Sequence, residues 1–169
     1  RKIWPAMNKK AHPGEKISVF WFRRDLRLED NTALTKALRS GFTVLPVFIF
    51  DTHILDELPV DDARVTFIYK QLEEIHGQLS SRGSSLHIFK GEPLVVWKEL
   101  LSRYEVHSVY VNKDYEPYAL ERDRQIGELL QRSGISFHHF KDQVIFEEDE
   151  ILKNDGQPYT VFTPYKRKW

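Results

Sequence analysis

The sequence predicts an α/β domain of the doubly wound kind, a five-stranded parallel sheet between two helical layers in a three-layer sandwich. Three observations lead there. Short apolar runs alternate with longer stretches of helical period from Ile17 to Phe140, the pattern of successive βαβ units. The first run, Ile17–Phe22, is apolar on both faces except at Ser18, as a strand covered above and below must be. Internal repeats and low-complexity tracts are missing, which removes solenoids and propellers.

Taken in order, Ile17–Phe22 is the expected central strand. Asp30 and Asn31 carry short side chains that accept hydrogen bonds from a helix start, Ala33, Leu34, Ala37 and Leu38 form its core stripe, and Gly41 supplies the left-handed turn that ends it. Thr43–Phe50 is the second strand; Pro46 lacks a ladder donor and belongs near its start. Ile68, Leu72, Ile75 and Leu79 recur at helical spacing in a long helix over 62–81, which Gly83 stops. Leu86–Phe89 is the third strand. Pro93 opens the next helix, with the stripe Leu94, Trp97, Leu101 and Tyr104. Ser108–Val111 is the fourth strand, Tyr118–Ser133 a helix with Ile126, Leu129 and Leu130 inward, and Ser136–Phe140 the fifth strand after Gly134.

Residues 1–16 show neither period and read as a flexible leader; Met7, the only methionine, is the expected natural start, with the residues before it an addition. The domain proper is expected over 17–141. After Lys141 the pattern stops, and 142–169, with the acidic run Glu147–Glu150 and the basic end Lys166-Arg167-Lys168, read as a linker.

Lys plus Arg and Asp plus Glu both total 25, so the chain lacks the one-sided positive field with which duplex-binding proteins attract phosphate. The absence of cysteine removes disulfides and thiolate metal sites and fits a reducing compartment, with the cytoplasm expected. The longest apolar run, Val44–Phe50, is far short of the roughly 20 residues a spanning helix needs.

Rossmann-like and flavodoxin-like layouts both place a crevice at the carboxyl ends of the strands where strand order reverses. The loops after strands one and four, Arg23–Asp30 and Asn112–Pro117, are the candidates for its walls. Asp25, Arg27, Asp30 and Asn31 read first as a structural network, with Asp25 paired to Arg27 and Asp30 or Asn31 capping the helix. No metal site is expected: His138 and His139 are neighbours on a strand and point to opposite faces, and Glu147–Glu150 lacks the spacing of a calcium loop. A nucleotide-binding enzyme of the same plan is a rival reading, but the glycine-rich phosphate loops it needs are missing.

The segment Trp21-Phe22-Arg23-Arg24-Asp25-Leu26-Arg27-Leu28-Glu29-Asp30-Asn31, running on to Ala33 and Leu34, resembles the amino-terminal signature of the DNA photolyase and cryptochrome family. Asn112–Tyr118 with Glu121, Arg122 and Asp123 resembles the family's segment after the fourth strand, and Tyr159–Tyr165 with Trp169 the stretch leading out of this domain. The resemblance implies an amino-terminal α/β domain that holds at most a light-harvesting antenna pigment. It also implies a following helical domain, to which 142–169 would be the link, that binds flavin adenine dinucleotide (FAD) and damaged DNA. In the family, excited reduced flavin passes an electron to a flipped-out pyrimidine dimer, so no catalytic residue is assigned within this chain. A cryptochrome photoreceptor is the alternative parent, and a monomer is expected. For the antenna, Asp114-Tyr115-Glu116-Pro117-Tyr118 looks more like the deazaflavin-binding branch. Tyr118 and Ala119 stand where the folate branch has a carboxamide and a carboxylate, so a deazaflavin or flavin is favoured over a folate, with an empty crevice the alternative. The candidate lining is Trp21, Phe22, Arg23, Arg24, Phe48, Phe50, Arg64, Asp114, Tyr115, Glu116, Pro117 and Tyr118, the aromatics among them having ordinary core packing as the competing reading.

Overall fold

In the computed structural model, residues 14–141 are described; the leader up to 13 and the segment 142–169 lie outside the described residues. Five parallel strands form one sheet: β1 (Lys16–Phe22), β2 (Thr43–Asp51), β3 (His87–Gly91), β4 (Glu105–Asn112) and β5 (Ser136–Phe140), in the order β3-β2-β1-β4-β5. This order is the Rossmann-like one of the two layouts. The helices are α1 (Thr32–Leu38), the single turn α2 (Thr52–Leu55), α3 (Ala63–Ser80), α4 (Pro93–Arg103) and α5 (Pro117–Arg132). No described helix is long and apolar enough to cross a membrane.

The period-2 alternation of the strands divides the core into two layers. Phe20 and Phe22 of β1, Val44, Phe48 and Phe50 of β2 and Tyr110 of β4 face α1 and α3. Ile17, Val19 and Trp21, Leu45, Val47 and Ile49, and Val109 and Val111 face α4 and α5. Lys16, which the lack of a period places with the leader, is the exposed first residue of β1. The polar exception, Ser18, is satisfied by the hydroxyls of Ser40 and Ser108. Between Ile17 and Ser18 the register against β4 slips from Val106 to Ser108, a bulge that returns Val106 to the same face as Val109.

Several boundaries differ from the sequence reading for physical reasons. Asn31 alone caps α1, accepting from the Leu34 amide at 3.1 Å, while Asp30 takes a left-handed conformation with φ of 49°, which a short polar side chain tolerates. Pro46 lies inside β2, but pairing with β3 begins only at Val47, so upstream of that point β2 has one neighbour and a missing donor is harmless. In α4 the buried stripe is Pro93, Val96, Trp97 and Leu100, with Leu94, Leu101 and Tyr104 at its margin. His138 stacks on Tyr110 and His139 leans on Phe137, on opposite faces of β5.

Candidate functional site

β1 leads outward to β2 and β3 on one side, and β4 returns to its other side, so the switch point, where folds of this kind take their ligands, falls at the loops after β1 and β4. The pin that holds both loops is Asn112, the last residue of β4. Its Nδ2 donates to the carboxylate of Asp25 and, at 2.7 Å, to Oδ1 of Asn31. Its Oδ1 accepts from the Ala33 amide at 3.1 Å, and its carbonyl accepts from Arg23 Nη2 at 2.6 Å. Asp25 also accepts from the Arg23 amide at 2.8 Å. Burial pushes its carboxyl above the ordinary value, against the pull of these hydrogen bonds and of the Arg23 charge. Arg27 closes the loop by donating to the Asp30 carbonyl at 2.8 Å.

Beneath this pin lies a buried charge layer. Arg23 Nη1 meets Asp123 Oδ1 at 2.6 Å, and Arg122 Nε reaches the same oxygen at 3.2 Å. Both guanidiniums lie over the ring of Trp21, 4.8 and 5.1 Å from its centroid. Ions this deeply buried persist only when paired, and the pairing ties the end of β1 to the second turn of α5.

The rim is more open. Arg24 Nη1 lies 3.3 Å from Glu116 Oε1 and 3.7 Å from Asp114 Oδ1, and Asp114 accepts from the Glu116 amide at 3.2 Å. Pro117 opens α5, whose cap Glu116 makes no capping bond with its side chain. Lys113 Nζ sits 5.1 Å from the Tyr115 ring centroid. The Tyr118 hydroxyl donates to Asp51 Oδ2 at 2.6 Å. Burial, then the Asp51 hydrogen bond and charge, raise the Tyr118 phenol above its usual range.

The loops thus bring Arg23, Arg24, Asp114, Glu116 and Tyr118 around one strand end. Trp21 is core on the α4/α5 side, whereas Phe22, Phe48 and Phe50 are core on the opposite face, Phe50 packing against Tyr69 at 4.8 Å. Arg64 is engaged by both Nε and Nη2 with Asp62, the cap of α3. Asp51 is not among the residues the sequence singles out; Asn112 enters there only as the start of a wall loop, and Arg122 and Asp123 only through the resemblance, none with an assigned contact. The signal was present: Arg122 and Asp123 share the helical stripe Ala119, Ile126 and Leu130, so two charges sit where apolar residues are due.

A 3-2-1-4-5 parallel sheet with a polar cluster at its switch point defines a Rossmann-like domain of the kind that takes ligands at the strand ends. Residues 18–169 match the family model described as DNA photolyase, and the chain belongs to that family. It is 34% identical over 151 residues to a deoxyribodipyrimidine photo-lyase of a Synechococcus strain, covering 89% of this chain and 31% of that protein. It is 31% identical over 150 residues to cryptochrome-1 of Gallus gallus, covering 88% of this chain and 24% of the other. The archaeal photolyase of Sulfolobus tokodaii, solved with two FAD molecules and described as implying a novel light-harvesting cofactor, superposes with a TM-score of 0.68 at 33% identity, covering 80% of this chain and 32% of that one. The chain spans about a third or less of these proteins, and its fold is that of their amino-terminal α/β domain.

Proposed function

We propose that this chain is the antenna-type domain of a deoxyribodipyrimidine photolyase and that its switch-point crevice holds a deazaflavin or flavin. The observation that carries the reading is the family match over residues 18–169 joined to the identity with a deoxyribodipyrimidine photo-lyase. The residues present suit such a guest: a planar ring needs a few fixed polar groups at its rim, and Arg24, Asp114, Glu116 and Tyr118 supply them around a rigid strand end. Asp114 offers a carboxylate that is 9% exposed, and Arg122 an Nη2 that no acceptor among the described residues satisfies.

A bound antenna pigment would absorb light and pass excitation energy to a second cofactor. This chain's own part is to orient the ring, to exclude water with the Tyr118 side of the crevice, and to keep the ring still through the Asn112 pin. FAD and damaged DNA belong, in this reading, to the part of the longer relatives beyond the matched third. A monomer in a cytoplasmic setting fits the cysteine-free, charge-balanced sequence.

The test is a fluorescence and absorption titration of the chain with a deazaflavin, a flavin and a reduced folate in turn. A shifted, polarised signal with one of the first two, weakened by Asp114→Ala or Glu116→Ala, is the expected result. No binding by any of the three would contradict the antenna role and leave a scaffold. The identity to cryptochrome-1 supports a photoreceptor as second reading; blue-light repair of dimer-containing DNA by the full-length protein separates the two.

A further inference from the structure

Arg122, like Arg23, is a buried cation with one N–H that finds no acceptor among the described residues. Its side chain is 8% exposed, and its Nη2 makes no hydrogen bond among the described residues and stands 3.9 Å from Asp114 Oδ2. A buried N–H of a charged group without an acceptor is costly and calls for a reason. Tyr118 stands one turn earlier on the same face of α5, where residues four apart are neighbours, close enough for the Arg122 charge to act on its phenol. Tyr118 is 40% exposed, and the hydrogen bond to Asp51 ties down its outer end.

The direction of that bond matters. Asp51 is the last residue of β2, Tyr118 lies in the first turn after β4, and β1 runs between those strands. The bond therefore crosses the carboxyl end of β1, at the switch point. Its acceptor end is fixed, since Asp51 is buried and its Oδ1 accepts from the His53 amide at 2.9 Å.

We propose that Asp51 is a positioning residue that latches Tyr118 across the crevice, and that release of Tyr118 opens Arg122 Nη2 and Asp114 to a planar heterocycle bearing a carbonyl beside an N–H. A donor and an acceptor side by side match the reversed pair on a lactam or imide edge. A phosphate would meet the carboxylates of Asp114, Glu116 and Asp51. The ligand half of this inference rests on the antenna reading; the latch does not.

The test uses the whole chain without pigment. Phenylglyoxal modifies accessible guanidiniums, and peptide mass mapping gives the rate at each arginine, with exposed Arg103 and Arg124 as internal references. A hydrogen bond to a carboxylate shifts an opening equilibrium by roughly tenfold, so Tyr118→Phe should speed Arg122 modification about tenfold with the references unchanged. Asp51→Asn, which keeps an acceptor oxygen, should stay near the wild-type rate. An unchanged Arg122 rate in Tyr118→Phe, or faster amide hydrogen exchange throughout α5 in that variant, would overturn the latch. For the ligand half, a flavin should bind Tyr118→Phe with a faster association rate, and its N3-methyl analogue should bind wild type at least tenfold more weakly. Equal binding of the analogue, or no flavin binding, overturns that half; the phenylglyoxal rates still decide the latch.

Discussion

Replacing Asn112 by alanine should be among the most damaging single changes in the chain, and its size follows from the bonds it removes. The side chain donates to the buried carboxylate of Asp25 and to Asn31, and accepts from the Ala33 amide. A hydrogen bond to a charged group is worth about 1.5–3 kcal/mol and a neutral one about 0.5–1.5 kcal/mol. Because the bonds share partners, the loss should fall short of their sum, at about 3–4 kcal/mol. Urea unfolding followed by tryptophan fluorescence, with the m-value checked for constancy, measures it. The pH dependence carries a sign as well. Burial already raises the folded Asp25 pKa, so this group contributes stability below its unfolded value that is lost as pH rises through the folded one. Removing Asn112, whose bond lowers that pKa, raises it further, and the penalty of Asn112→Ala should shrink as the solution is acidified. A loss under 1 kcal/mol at neutral pH, or a penalty that grows on acidification, would show that Asn112 does not hold the Asp25 carboxylate in this way.

Other consequences follow from the same geometry. Arg23→Met removes the shorter of the two pairings of the Asp123 carboxylate and leaves it the Arg122 Nε contact at 3.2 Å, so the cost in chemical denaturation should fall below the about 3–5 kcal/mol of a buried pair broken outright. Asp62 is held down to about 2 first by the side-chain hydrogen bond from Arg64; its folded pKa is depressed, so whatever stability it adds is present above 3.8 and fades as pH falls toward 2. In an NMR titration, Arg64→Ala should return the Asp62 midpoint toward 3.8. Gly91, at the end of β3, has φ of 153°, and an added Cβ would meet Val96 Cγ2 at 3.3 Å. Gly91→Ala should therefore cost about 1–3 kcal/mol, read as a lowered Tm.

The fold was largely legible because its two periodicities are clean: every strand and every helix except α2 announced itself through apolar spacing, proline or glycine. The single turn α2 was not, since four residues are too few to show a period. The α4 stripe was displaced by one position because Leu94, Val96, Trp97, Leu100 and Leu101 offer two overlapping apolar faces, and only packing against the sheet selects one. The crevice was legible as a pair of loops, through charge density at a strand end, but not as a network. Asn112 and Asp51 close apolar runs, where a polar residue looks like an ordinary strand ending. Their importance comes from contacts with residues 87 and 67 positions away, which no local pattern records.

Amide shift mapping of the isotopically labelled chain on addition of a deazaflavin locates the pigment site directly. Perturbations centred on Arg24, Asn112, Asp114, Glu116, Tyr118 and Arg122, at the ends of β1 and β4, are the expected result. Shifts confined instead to the groove of about 350 Å³ between α5 and β5, lined by Leu120, Asp123, Gly127, Phe137 and His139, would contradict the assignment of the switch-point crevice as the pigment site.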